Sequence, residues 1–281
     1  MVMSINTNPE ALTALRNLEA ANRRAAVVGQ EVSTGQKVRG AVDDASNFAI
    51  AQGLRGDIRA AGAVIQGLNN AKGIAKVALA GATAVSDLMA DIRKKITEGA
   101  NEGNTDQQQA ILQEDYVQLV EQMRQILENA EYNDINILIE TAVPFNTVVG
   151  TVRDVDVLAN LEGDTVRLRG QRLDLSYALL AQESIATPAD AMNTLTVFEQ
   201  QQEFVNDALG QLGSDLRQLE LQTDQLQGVM DAIEEGLGNV VDADMARASA
   251  EQSAIQVRQQ LATQTLGIAN EAPQILLGLF Q

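Results

Sequence analysis

Between Leu195 and Leu237 apolar residues recur at alternating intervals of three and four, through Leu195, Phe198, Gln202, Val205, Leu209, Leu212, Leu216, Leu219, Thr223, Leu226, Met230, Ile233 and Leu237. Eleven of these thirteen positions are apolar. A period of 3.5 keeps one seam turned toward partner helices along its whole length, which is coiled-coil patterning. At ~1.5 Å per residue the span makes a helix of roughly 64 Å, longer than an ordinary core helix. Leu209, Leu212, Leu216, Leu219, Leu226, Met230 and Ile233 are its expected intrachain coiled-coil contacts.

Three further stretches keep helical spacing. Ala11, Leu15, Leu18, Asn22, Ala25, Gly29 and Val32 set a small-residue seam within about residues 8–34. Ile58, Ala61, Ile65, Leu68, Ala75, Leu79, Ala82, Met89 and Ile96 mark a second, interrupted by Lys72, Ser86 and Arg93 and ended by Gly99, Gly103 and Asn104. Thr105 offers an N-cap for a third, with Leu112, Tyr116, Leu119, Met123, Ile126 and Ala130 on one face. A last helix is expected from Asp242, with Met245, Ala248, Gln252, Ile255, Gln259, Ala262, Leu266 and Ala269 in register and Pro273 as its stop.

Residues 132–186 change character. The runs TAVPFNTVVGTVRDVDVL and DTVRLRGQRLDLSYALL are rich in Val and Thr, alternate in places, and predict two or three hairpin strands. Thr187 and Pro188 then open the long ladder helix, with an acid, Asp190, in the first turn. The expected class is mainly α: a long antiparallel helical coiled-coil rod, a small β-hairpin region, and terminal helices with weaker seams.

Composition narrows the chemistry. The chain has neither Cys nor His, so disulfides, thiolate metal sites and imidazole bases are excluded. Aromatic content is 3%, too low for a bulky globular core. A net charge of −18 argues against nucleic acid as a partner. Residues 187–237 hold ten acids and one base, whereas residues 1–60 hold seven bases and six acids, so the near-neutral ends meet copies of themselves with little repulsion. By eye no run approaches the ~20 apolar residues of a membrane span. The N-terminus also lacks a basic, apolar secretory signal. Those two features alone read as cytoplasmic.

The run SINTN followed by ALTALRNLEAANR, then EVSTGQKVRGAVDDASNFAIAQGLR, resembles bacterial flagellin, as does the C-terminal run NVVDADMARASAEQSAIQVRQQLATQTLGIANEAPQILLGLF. The resemblance covers about residues 4–130 and 187–280. It implies an N-terminal inner-core helix over 1–38, a spoke over 39–56, outer-rod helices over 57–131, hairpins over 132–186, a C-side rod helix over 187–237 and a C-terminal core helix over 238–281. The span between the rod helices leaves no room for large outer domains. By the same resemblance, self-assembly falls to Ile5, Leu12, Leu15, Leu18 and Val32 at one end. At the other it falls to Ile255, Leu266, Ile268, Leu276, Leu279 and Phe280, with Leu277 beside them.

The implied partners are many copies of the chain itself, hook-associated junction and cap proteins, the flagellar export apparatus and a chaperone. The implied address is the extracellular filament, which replaces the cytoplasmic reading. No cofactor is implied. The weak end seams do not sustain isolated helices, so ordering of the ends on polymerisation is expected. Competing readings are a flagellin-like hook–filament junction protein and, from another class, a coiled-coil signalling rod. Arg55-Gly56-Asp57 reads as a chance tripeptide at a helix start. The acid pairs Asp43-Asp44, Glu114-Asp115 and Glu234-Glu235 read as solvated faces.

Overall fold

The computed structural model describes residues 8–140 and 153–278, with side chains as far as Glu271. The described part is mainly α with a small antiparallel hairpin, in the order α1 (Pro9–Thr34), α2 (Ala45–Gly99), α3 (Asp106–Glu128), β1 (Val155–Leu158), β2 (Thr165–Leu168), α4 (Leu173–Leu180), α5 (Pro188–Val241) and α6 (Met245–Gly278). The chain divides into two compact units, Met1–Gly56 with Ala232–Gln281, and Asp57–Asp231. Both α2 and α5 contribute residues to each.

In the unit 57–231 one hydrophobic cluster draws on α2, α3, α4, α5 and the hairpin. The buried ladder of α2 runs Ala61, Val64, Leu68, Ala71, Ala75, Ala78, Ala82, Val85, Met89, Ile92 and Ile96, with no break. The sequence pattern shares every second member but predicts breaks at Lys72, Ser86 and Arg93. The chain buries the preceding residues, Ala71, Val85 and Ile92. On α5, Phe198, Val205, Leu212, Leu219 and Leu226 are buried, together with Thr194, Gln201, Ala208 and Asp215. Leu195, Leu209, Leu216 and Met230 pack on this cluster from its margin, partly buried. A helix with several neighbours buries a stripe wider than the narrow a/d seam.

Bringing polar residues into that stripe requires partners. Asp215, with a side chain only 1% exposed, accepts the Arg169 backbone N–H at 3.0 Å, the Arg169 Nη2 at 2.6 Å and Gln211 Nε2 at 3.0 Å. It thereby ties the end of β2 to α5. The hairpin itself pairs Val155 with Leu168 and Leu158 with Thr165. Val166 and Leu168 are buried on its inner face.

The segment after α3 crosses α2 through gaps left by glycines. Tyr132 and Ile135 exchange both backbone hydrogen bonds at 3.0 and 3.1 Å. The two residues between them, Asn133 and Asp134, hold φ of 53° and 60°, the arrangement of a type I′ turn. A Cβ on Gly73 would lie 2.8 Å from the Tyr132 ring, and one on Gly81 would lie 2.7 Å from the Ala130 Cβ. Only a hydrogen fits at either place.

Several expectations change. Leu173–Leu180 is a helix, not a strand; its Leu-Asp-Leu start alternates, but the run is short and lies against α3, with Tyr116 donating to the Leu180 carbonyl at 2.7 Å. Residues 141–152, the start of the first expected strand run, lie outside the described residues. α2 begins at Ala45, inside the expected 39–56 connection. The Asp44 side chain accepts the Asn47 N–H at 3.0 Å and so starts the helix there. α5 continues past Gly236 and Gly238, and α6 starts at Met245 and continues past Pro273. Thr105 caps α3 with a full capping box, as expected. A window of α2 is long and apolar enough to cross a membrane by length and composition. Its Ala, Val, Ile and Leu make it apolar, and the core seam uses them.

Gly81→Ala is expected to destabilise the subunit by about 1–3 kcal/mol through overpacking against Ala130. Gly62→Ala and Gly210→Ala meet nothing within 4 Å and should stabilise by up to ~1 kcal/mol each. Denaturant midpoints measured by circular dichroism check both signs.

Candidate assembly surface

The unit containing the two chain ends is built on α1 and α6. Asn8 caps α1 through the Ala11 N–H, Pro9 occupies the first turn, and Gly35 closes it at φ 71° with its N–H on the Glu31 carbonyl. Only glycine takes that left-handed position without strain.

The two helices run antiparallel, fixed by three side-chain ties. Asn8 Nδ2 donates to the Ala269 carbonyl at 2.6 Å, Gln259 Nε2 to Asn22 Oδ1 at 2.8 Å, and Arg24 Nε to Glu251 Oε1 at 2.7 Å. Their seam is small. From α1, Ala14 and Val28 are buried and Ala11, Leu18, Ala21, Ala25 and Val32 half-buried; from α6, Ala248, Ile255 and Ala269 are buried, with Ala262 and Leu266 half-buried. A buried methyl-sized group is worth only about 0.8 kcal/mol, so an alanine seam holds two helices weakly.

The connection from α1 to α2 is pinned to the end of α5. Lys37 N–H reaches the Val241 carbonyl at 2.8 Å and Ala243 N–H the Gly35 carbonyl at 2.8 Å. Arg39 closes the turn on Asp43, Nη2 to Oδ1 at 3.0 Å. The hydrogen bond from Arg39 holds the Asp43 carboxyl below the usual carboxylate range. The Asn47 N–H does the same for Asp44, and Arg24 for Glu251. At the tip Val42 is wholly exposed.

Of the expected assembly residues, Leu12 and Leu15 are exposed on α1, while Leu18 and Val32 are half-buried. On α6, Ile255 is buried, Leu266 half-buried, and Ile268 exposed at 69%. Ile5, Leu279 and Phe280, and the side chains of Leu276 and Leu277, lie outside the described residues. The pattern reading passed over Val257 and Leu261, exposed at 54% and 57%. Their signal was present: with Ile268 they fall within roughly 40° of one another on a helix of 3.6 residues per turn, about opposite Ile255. So α6 carries two apolar stripes, one covered by α1 and one bare.

The intrachain set behaves differently. Leu212, Leu219 and Leu226 are buried, Leu209, Leu216 and Met230 partly buried, and Ile233 half-buried. A shallow cleft of about 620 Å³ beside Lys95, Asp115, Val117 and Glu121 gathers no nucleophile–base pair. Among the described residues no group of three or more acids is placed to hold a metal ion.

Residues 5–142 match the family model for the bacterial flagellin N-terminal helical region, and residues 195–280 that for the C-terminal helical region. The chain is 30% identical to the flagellin FljJ of Caulobacter vibrioides over all of this chain and 99% of that one. It is also 30% identical to a flagellin of Brucella melitensis over 99% of both. In fold it is similar to a crystal structure of Bacillus cereus flagellin, with a TM-score of 0.51 at 21% identity, covering 57% of this chain and 88% of that one. A flagellar hook-associated protein of Vibrio parahaemolyticus is similar at a TM-score of 0.57 and 15% identity, covering 71% of this chain and 100% of that one. The chain belongs to the bacterial flagellin family, a family of structural proteins, and is a structural subunit of the flagellar filament.

Proposed function

We propose that copies of this chain polymerise through the paired end helices, α1 and α6. The observation that carries this reading is the two-faced α6. Its inner stripe is covered by α1, whereas Val257, Leu261 and Ile268 stand bare on the far side. Aliphatic side chains lined up on an exposed helix face are a docking surface for another helix. Leu12 and Leu15 supply a second exposed apolar patch, on α1. Ile5, Leu276, Leu279 and Phe280 are assigned the same assembly role through the flagellin resemblance, and Leu18, Val32, Ile255 and Leu266 hold the pair that presents the surface.

Association of one patch with a different patch on the next copy is heterologous and does not close, so it generates a helical polymer. Hook-associated junction and cap proteins bound the polymer at its ends, and a chaperone and the flagellar export apparatus deliver subunits to an extracellular address. Weak α1–α6 pairing suits that route, because the end helices loosen in a subunit and tighten in the filament.

Leu261→Ser with Ile268→Ser should leave the thermal melting of the 57–231 unit unchanged and abolish filaments in electron micrographs; filaments of normal length would refute the role of the bare stripe. Long filaments from the unaltered chain also separate this reading from a junction protein, which forms only a short ring. Trypsin should cut at Arg16, Arg23 and Arg258 in the monomer and spare them in filaments. Acid should loosen the end unit. Glu251 has a lowered folded pKa, so its contribution is complete above the ordinary carboxylate pKa of about 4.3 and fades as pH falls through the lower folded value. Hydrogen exchange of α6 should therefore be slower in the unaltered chain than in Glu251→Gln at pH 7, with the difference shrinking as pH falls below the ordinary carboxylate range.

A further inference from the structure

In a chain with 38 acids, residues 58–86 hold none, while Arg59, Lys72 and Lys76 lie among them on α2. Arg59 and Lys76 are exposed and Lys72 half-buried. None of the three makes an ion pair or a side-chain hydrogen bond among the described residues. Lys72 and Lys76 are one turn apart, a like-charge pair that weakens its own helix.

The mirror arrangement lies on α5. Glu199, Glu203 and Asp207 are exposed at successive four-residue steps. Glu199 reaches Arg93 at 3.5 Å, while Glu203 and Asp207 have no partner among the described residues. Four residues advance a helix by about 6 Å in both ladders. Ala80 follows Lys76 by one turn and Gly210 follows Asp207 by three residues, both exposed and small, and Gly62 is a further exposed glycine earlier on α2. A Cβ added at Gly62 or Gly210 meets nothing within 4 Å, so packing within the subunit does not call for glycine there.

We propose that the Lys72–Lys76 ladder of one copy docks on the Glu203–Asp207 ladder of the next, a contact between unlike faces that repeats along the polymer. This rests on the filament-subunit reading. A second copy is the occupant these features fit. Opposite signs and equal step lengths occur on two faces of one chain, with a small residue one turn beyond each ladder, and a polymer supplies that chain as its own neighbour. Each ladder repels itself in the free subunit and is neutralised in the contact, so charge sets which faces meet.

The test uses the full-length chain and reads the critical concentration for polymerisation by sedimentation and electron microscopy, with circular dichroism melting to verify each fold. K72E/K76E and E203K/D207K should each raise the critical concentration by roughly tenfold or more, through like-charge contact. The fourfold variant K72E/K76E/E203K/D207K restores opposite signs and should return it to within about threefold of the unaltered value. The milder K72Q/K76Q guards against loss of fold and should give an intermediate increase. Either reversal polymerising like the unaltered chain overturns the proposal. So does failure of the fourfold variant to recover while its melting curve remains normal. If the unaltered chain itself forms no filaments, the filament reading fails instead.

Discussion

How closely other elements can approach α2 is the constraint on which the 57–231 unit depends. With 3% aromatic residues and no Trp, the chain cannot fill a core with bulky rings. Tyr116 and Phe198 are the large aromatics fully buried among the described residues. Density comes instead from shortening the distance between backbones. Ala61, Ala71, Ala75, Ala78 and Ala82 line the α2 seam, and Gly73 and Gly81 admit the Tyr132 ring and Ala130 to van der Waals range. Interiors tolerate few voids, so a seam of methyl groups stabilises the fold only if its neighbours sit against it. The Asp215–Arg169 bonds and the capped α3 are parts of that positioning, since they fix where the hairpin and its helices lie.

The existence, type and period of the long helices were legible in the sequence, and the phase of their seams was only half legible. A three–four ladder anchored at Ala61, Leu68 and Ala75 is satisfied equally by Ile65 and Lys72 or by Val64 and Ala71. Both choices keep a mean spacing of 3.5. The larger residue, Ile65, drew the reading toward the wrong alternative, and Lys72, Ser86 and Arg93 then looked like faults in the seam. The same displacement occurs on α1, where Ala14 and Val28 are buried instead of Leu15 and Gly29. On α5 it brings Thr194, Gln201 and Asp215 inward, a choice no hydrophobic pattern reveals; Thr194 donates to the Ser184 carbonyl and Asp215 accepts from Arg169. On α6 the expected seam matches the buried Ala248, Ile255 and Ala269, although Met245 is exposed and the second stripe of Val257, Leu261 and Ile268 offers an alternative phase. Local chemistry was legible where one residue decides the geometry, as at Thr105. It was not where tertiary packing decides, as at Leu173–Leu180.

Charge is divided between the two units as unevenly as bulk. The unit 57–231 has 27 acids against 12 bases, net −15, and the end unit 11 against 8, net −3. Bringing copies together through the end unit therefore meets little repulsion, whereas copies that touch through the other unit must match opposite charges locally. The acid-free reach of α2 provides such a place in a strongly anionic surface. Exposed pairs are individually weak and screened by salt. Their use is selection among faces, with net affinity left to apolar burial.

A single helix shows why stability and assembly fall to different parts of this sequence. α6 has apolar side chains on two opposite sides, and one partner helix can cover only one of them. Making the inner stripe larger would hold α6 on α1 more firmly and would still leave Val257, Leu261 and Ile268 uncovered. Making the outer stripe polar would give a well-behaved monomer with no reason to associate. The seam that is present is mostly alanine inside, and the aliphatic Val257, Leu261 and Ile268 stay exposed outside. In the polymer proposed above, further copies cover that outer side, whereas the long ladders of α2 and α5, buried within one chain, hold each copy together.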